Sequence, residues 1–149
     1  MTRAELLAFM RSHHHAVETA VSPAGSPQAA VVGIVVSDDF ELFFDTLGDT
    51  RKAQNLRRDR RTAFVIGGPG EGELRTVQYE GVADEPTGDS LAALTALYLA
   101  RFPDGIVRQS WPGLTYFRVR PTWIRFSDFS VDPPIVLEWD AAALGAVGS

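Results

Sequence analysis

At 149 residues and 45% hydrophobic, the chain carries enough apolar surface for one domain with its own core, and a second domain would be cramped. It has no cysteine, which excludes a disulfide framework, thiolate metal sites, CxxC redox chemistry and a cysteine nucleophile. The net charge of −5 argues against a general nucleic-acid binder, although six of the fourteen basic residues crowd into residues 51–61.

In chain order, Thr2 and Glu5 are spaced as a capping box. Leu6, Leu7, Phe9 and Met10 follow at helical spacing, which predicts an amphipathic lead-in helix over residues 3–12. His13, His14 and His15 invite a metal hypothesis, but neighbours in an extended chain point to alternate faces, and no carboxylate or further histidine stands at ligand spacing. A half-buried imidazole near a pocket mouth is the expectation. Residues 16–22 read as a first strand, 23–27 as its turn, 29–36 as a nearly all-apolar second strand and 41–45 as a third. Three short strands joined by turns predict an antiparallel meander, and the unbroken apolarity of the second predicts burial on both its faces, in a barrel or at a subunit interface.

The segment 43–56 is the chemically richest. An aromatic strand ends at Asp45-Thr46, turns through Leu47-Gly48-Asp49 and restarts as a short helix with Asp49 or Thr50 as N-cap. Thr46, Thr50, free backbone N–H groups, the positive end of the helix dipole, Arg51 and Lys52 then fall within about one helical turn, a complete donor set for a phosphate dianion. Lys52 is the only lysine in the chain, in keeping with a need for a compact point charge. A capped surface helix with two solvated charges is the other reading of the same pattern. The arginines that follow, Arg57, Arg58, Arg60 and Arg61, suit the negative end of that helix and lack the interleaved aromatic platforms of a nucleic-acid site.

Residues 62–67 predict a fourth strand. The stretch Gly67-Gly68-Pro69-Gly70-Glu71-Gly72 predicts a hairpin turn, since no helix pattern or Lys-Ser/Thr pair follows to make it a phosphate loop. Residues 74–83 alternate as a fifth strand with Val77, Tyr79 and Gly81 on one face, and residues 90–102 form a helix with an apolar stripe of Leu91, Leu94, Tyr98 and Phe102. An irregular loop over 103–113 leads into a long strand, 115–126, whose parity changes around Pro121-Thr122 and so predicts a bulge or corner. A short edge strand over 135–139 and a loose tail over 141–149 complete a single domain covering residues 1–149. No apolar run approaches the roughly 20 residues that span a bilayer, and the N-terminus lacks the apolar core of a signal peptide, so a soluble, cytoplasmic chain without a membrane partner is expected.

This order of elements is not a βαβ series. It resembles the split-barrel flavin-binding family typified by pyridoxamine 5′-phosphate oxidase, over about residues 5–129. The resemblance is most specific in Thr50-Arg51-Lys52-Ala53 with Asn55-Leu56. It extends to Gly81-Val82-Ala83 and to Tyr116-Phe117-Arg118-Val119-Arg120-Pro121 with Trp123-Ile124. It implies a mainly β (α+β) fold, a six-stranded antiparallel split β-barrel with flanking helices, homodimeric, with FMN sites at the subunit interface. It also implies that Thr46, Thr50, Arg51 and Lys52 hold the phosphate and ribityl chain, that Val32 and Gly33 lie beside the isoalloxazine ring, and that Gln109 and Ser110 are given to the flavin by the second subunit. Three departures stand out. The segment Gln28-Ala29-Ala30-Val31-Val32-Gly33 lacks the arginine and lysine that the oxidase uses there, Ser127 replaces a tryptophan near the flavin, and the segment that holds pyridoxal phosphate is not in the sequence. The implied function is an FMN-dependent oxidoreductase acting on a small molecule other than a B6 vitamer. The alternative is a non-catalytic flavin, F420 or haem binding or sensor protein on the same fold.

Overall fold

Alternating β-branched and aromatic residues put more of the chain into strands than into helices, and the computed structural model, which describes residues 1–68, 70 and 72–146, assembles the strands into one antiparallel sheet. The elements are α1 (Arg3–Arg11), β1 (His15–Val21), β2 (Pro27–Gly33), β3 (Val35–Val36), β4 (Leu42–Leu47), α2 (Arg51–Arg58), β5 (Arg61–Gly67), β6 (Arg75–Asp84), α3 (Gly88–Arg101), α4 (Gly105–Arg108), β7 (Leu114–Asp128), β8 (Ile135–Asp140) and α5 (Ala141–Ala146). The sheet order is β2-β1-β5-β6-β7-β4-β3, with β8 pairing β7. The sheet curls until β2 approaches β4, and its concave face holds the main core of Leu42, Phe44, Phe64, Ile66, Val77, Tyr79, Phe117, Val119 and Ile124. A second, smaller core lies on the outer face, where Val35 and Phe43 pack on Leu94 and Tyr98 of α3.

Several expectations from the sequence are corrected. The sheet has eight strands rather than six, because β3 separates from β2 and β8 joins the ladder. The first three strands are not a meander. The chain leaves β2 at one end of the sheet, turns at the buried Ile34, and enters β3 and β4 at the other end, which is how a split barrel brings its margins together. Of the predicted second strand, residues 34–36 are buried, whereas along β2 only Val32 is buried within the single chain and Val31 is 68% exposed. The loop over 103–113 contains the short helix α4. The tail over 141–149 is not loose throughout, because it opens with α5, which buries Leu144 against the core; residues 147–149 lie outside the described residues. Pro69 and Glu71 of the glycine-rich turn also lie outside them, and β5 and β6 on either side pair antiparallel as the hairpin required.

Other features match the reading. The Thr2–Glu5 capping box is present. In β6, Val77, Tyr79 and Gly81 are buried while Gln78 and Glu80 are exposed. The parity change in β7 is a bulge: Glu80 faces Trp123 but Gly81 faces Pro121, leaving Thr122 as the extra residue. An added Cβ on Gly81 would lie 2.4 Å from the Arg120 carbonyl oxygen, so the corner closes only over a residue without a side chain.

Candidate functional site

Strand parity decides what the end of β4 presents. Thr46 shares the concave face with Leu42 and Phe44, whereas Asp45 shares the outer face with Phe43. On the outer side Asp45 accepts from the Tyr98 hydroxyl and from Arg108 Nε, each at 2.8 Å, which ties α3 and α4 to β4. On the concave side the Thr46 and Thr50 hydroxyls are 3.1 Å apart. Thr50 is the N-cap of α2, its Oγ1 accepting from the Ala53 amide at 3.2 Å and donating to the Leu47 carbonyl at 2.8 Å. The Arg51 and Lys52 amides in the first turn have no intrahelical acceptor, so the helix start offers N–H donors beside two cations.

This helix start opens onto a cleft of about 250 Å³ between α2 and the β1–β2 hairpin. Its floor is small, formed by Ala20, Ala29 and Ala30. Its walls are polar. Gln28 Oε1 accepts from Asn55 Nδ2 at 2.8 Å and from Arg51 Nε at 3.2 Å, and Asn55 Oδ1 accepts from Arg58 at 3.2–3.3 Å. Farther along the basic run, Arg57 pairs with Glu85 and Arg61 with Asp59, whereas Lys52 stands half-buried in the cleft wall. The alanines of β2 leave room where the family resemblance leads one to look for further cations.

The cleft also holds Glu18, which sequence reasoning missed. It is 1% exposed on the concave face of β1, between Ala16 and Ala20, and its Oε1 has no hydrogen-bond partner among the described residues. Burial pushes its carboxyl up to about 7, against the pull of the Lys52 charge. The sequence pattern pointed the other way, because the larger apolar residues of this run, Val17 and Val21, have the opposite parity to Glu18.

Of the residues singled out from sequence, the structure therefore brings Thr50, Arg51 and Lys52 to one cleft, with Thr46 hydrogen-bonded to Thr50. Val32 lies on β2 with its side chain in the core, and a Cβ on Gly33 would lie 3.0 Å from the Phe102 ring. Gln109 and Ser110 are exposed at the end of α4 and do not line the cleft of their own chain. Ser127 is buried on β7. The histidines split: His13 is half-buried, with Nδ1 3.0 Å from the Phe9 carbonyl oxygen, and lines with His14 a second cleft of about 440 Å³. No group of three or more potential metal ligands exists among the described residues. The donor set around α2 fits the phosphate end of a nucleotide cofactor: two cations, free amides and neutral amide side chains around a small floor.

Solved structures share the architecture. A haem-binding protein from Mycobacterium smegmatis superposes with a TM-score of 0.84 at 19% identity, covering 98% of this chain and 61% of that one. This chain thus spans about three fifths of that protein's length. The haem storage protein HutZ from Vibrio cholerae gives a TM-score of 0.69 at 17% identity, with 81% and 91% of the two chains covered. A pyridoxamine 5′-phosphate oxidase-related, FMN-binding protein from Nostoc punctiforme gives 0.68 at 14% identity, with 92% and 87% covered. No curated protein matches the chain. The fold is thus shared with proteins that hold different cofactors, and what assigns the lineage is the sequence itself: residues 2–128 match the family model for pyridoxamine 5′-phosphate oxidase, and the chain belongs to that family.

Proposed function

We propose that the protein is a homodimeric FMN-binding flavoprotein that acts as an oxidoreductase on a small molecule in the cytoplasm, with no nucleic-acid or membrane partner. The observation that carries this reading is the cleft at the start of α2, where Arg51, Lys52 and unpaired helix amides converge over a small floor. FMN would supply the hydride chemistry, and the chain would bind it, orient it and keep water from its buried face. Thr46, Thr50, Arg51 and Lys52 would hold the phosphate end. Val32 and Gly33 would run beside the ring through their backbone, and Gln109 and Ser110 would reach the cofactor of the partner subunit. No helix of the described residues is long and apolar enough to cross a membrane.

The test is an absorbance spectrum of the purified protein followed by FMN titration, read by fluorescence. Flavin bands or saturable binding at about one FMN per chain are expected. Absence of saturable binding would overturn the reading.

A second reading, haem binding, has an observation of its own. The cleft lined by Arg11, His13, His14 and Arg101 has Ile34, Val35, Val36 and Leu97 as its apolar wall, a combination of imidazoles, cations and hydrophobic surface suited to a porphyrin with carboxylates. Two of the structurally similar proteins are haem proteins by name. A Soret band in place of flavin bands would favour it. F420, which also carries a phosphate, is the remaining alternative for the α2 cleft.

A further inference from the structure

The cleft at α2 contains one group that a phosphate site does not need. Glu18 points into it from β1, 1% exposed, with Oε1 unpartnered among the described residues. The charged groups facing it are Arg51 and Lys52, both on α2. From β2 come Gln28, Ala29 and Ala30, and its register neighbours are Ala30 on β2 and Phe64 on β5, none of them titratable. An ionised carboxylate there would repel an incoming phosphate. A neutral carboxyl would instead offer an O–H donor to a phosphate oxygen.

We infer that Glu18 is a ligand-contacting residue of this cleft and that a phosphate-bearing ligand binds with uptake of one proton from solvent onto the Glu18 carboxylate. The inference rests on the cleft being the anion site proposed above, though not on the anion being a flavin. The raised proton affinity that burial gives Glu18 places the coupling near neutrality. A phosphate monoester loses its second proton near pH 6, so between pH 7 and 9 the ligand is already a dianion and a change in affinity belongs to the protein.

The experiment measures FMN affinity, and separately the affinity of a simple phosphate monoester, glycerol 3-phosphate, by calorimetry at pH 6, 7, 8 and 9. Buffers of different ionisation enthalpy are used, so that protons taken up on binding are counted. In the wild type, affinity should fall about tenfold per pH unit above about pH 7, with close to one proton taken up per ligand. In Glu18→Gln, whose amide keeps a donor without a titrating proton, the affinity should be flat over that range and exceed the wild type at pH 8. Equal pH dependence in both proteins, equal weakening of the variant at every pH, or failure of both anions to bind would overturn the inference. Proton-linked binding of glycerol 3-phosphate without FMN binding would sustain it and defeat the flavin reading. FMN binding without Glu18-dependent proton uptake would do the reverse.

Discussion

A lone lysine and a buried glutamate set the electrostatics of the α2 cleft, and each makes a separable claim. Lys52 supplies a compact charge at a helix start where amides already point outward. Lys52→Ala should weaken FMN binding by about 1–3 kcal/mol, the range of one charge-assisted hydrogen bond, and leave apo-protein melting unchanged. Fluorescence titration checks this, and an unchanged affinity would remove Lys52 from the site. Glu18 also makes a claim about stability in the absence of ligand. Its carboxyl titrates at about 7 in the folded chain and at about 4.5 when unperturbed. The folded state therefore keeps a proton that the unfolded state releases between those values. Wild-type stability falls as pH rises from about 4.5 to about 7 and is level above that, the total loss being at most about 3.5 kcal/mol. Urea denaturation at pH 4.5, 6 and 8 should show wild type losing ground to Glu18→Gln as pH rises. Parallel curves for the two proteins would mean that Glu18 ionises freely.

Among elements, legibility followed how local the determining physics is. The capping box of α1, the Thr50 cap of α2, the alternation of β6 and the corner in β7 depend on neighbours a few residues away, and all stood in the sequence. What could not be read there was which margin of the sheet each strand reaches. The run 29–36 is apolar throughout, yet it breaks at Ile34 into two strands at opposite ends of the sheet, a choice made by closure of the barrel rather than by any local turn signal. The same long-range pairing hid Glu18, because an acid in a short strand reads as solvent-facing until the strand's partners show which face is concave. The corner in β7 makes a prediction of its own. Gly81 sits where the Arg120 carbonyl and the Val119 side chain leave no room for a Cβ, 2.4 and 2.6 Å away, and the nearer obstacle is backbone. Gly81→Ala should cost about 1–3 kcal/mol, seen as a lower denaturation midpoint at an unchanged slope. A midpoint equal to wild type would mean that the bulge shifts without cost.

At the scale of the whole molecule, the outer face of the β2-β1-β5 margin is the surface that one chain leaves unexplained. Val31, Val17 and Val65 stand in register across the three strands, 68%, 38% and 42% exposed, an apolar row on a face that should carry polar side chains if water were its partner. A second copy meeting it about a two-fold axis would double the row, and burying the surface each valine still exposes would contribute about 1 kcal/mol apiece, a part of the about 1.5–3 kcal/mol of a fully exposed side chain. The family resemblance implies a dimer, and a dimer is also the condition under which Gln109 and Ser110, exposed and outside their own chain's cleft, would reach a cofactor. Dimerisation and cofactor affinity should accordingly move together. Val31→Asp should convert a dimer into a monomer in sedimentation velocity and lower FMN affinity, although the substituted side chain points away from the α2 cleft. Restoring the dimer by raising protein concentration should restore the affinity. A variant that is monomeric yet binds FMN as tightly as wild type would show that each chain holds its cofactor alone, and a variant that remains dimeric would place the interface elsewhere.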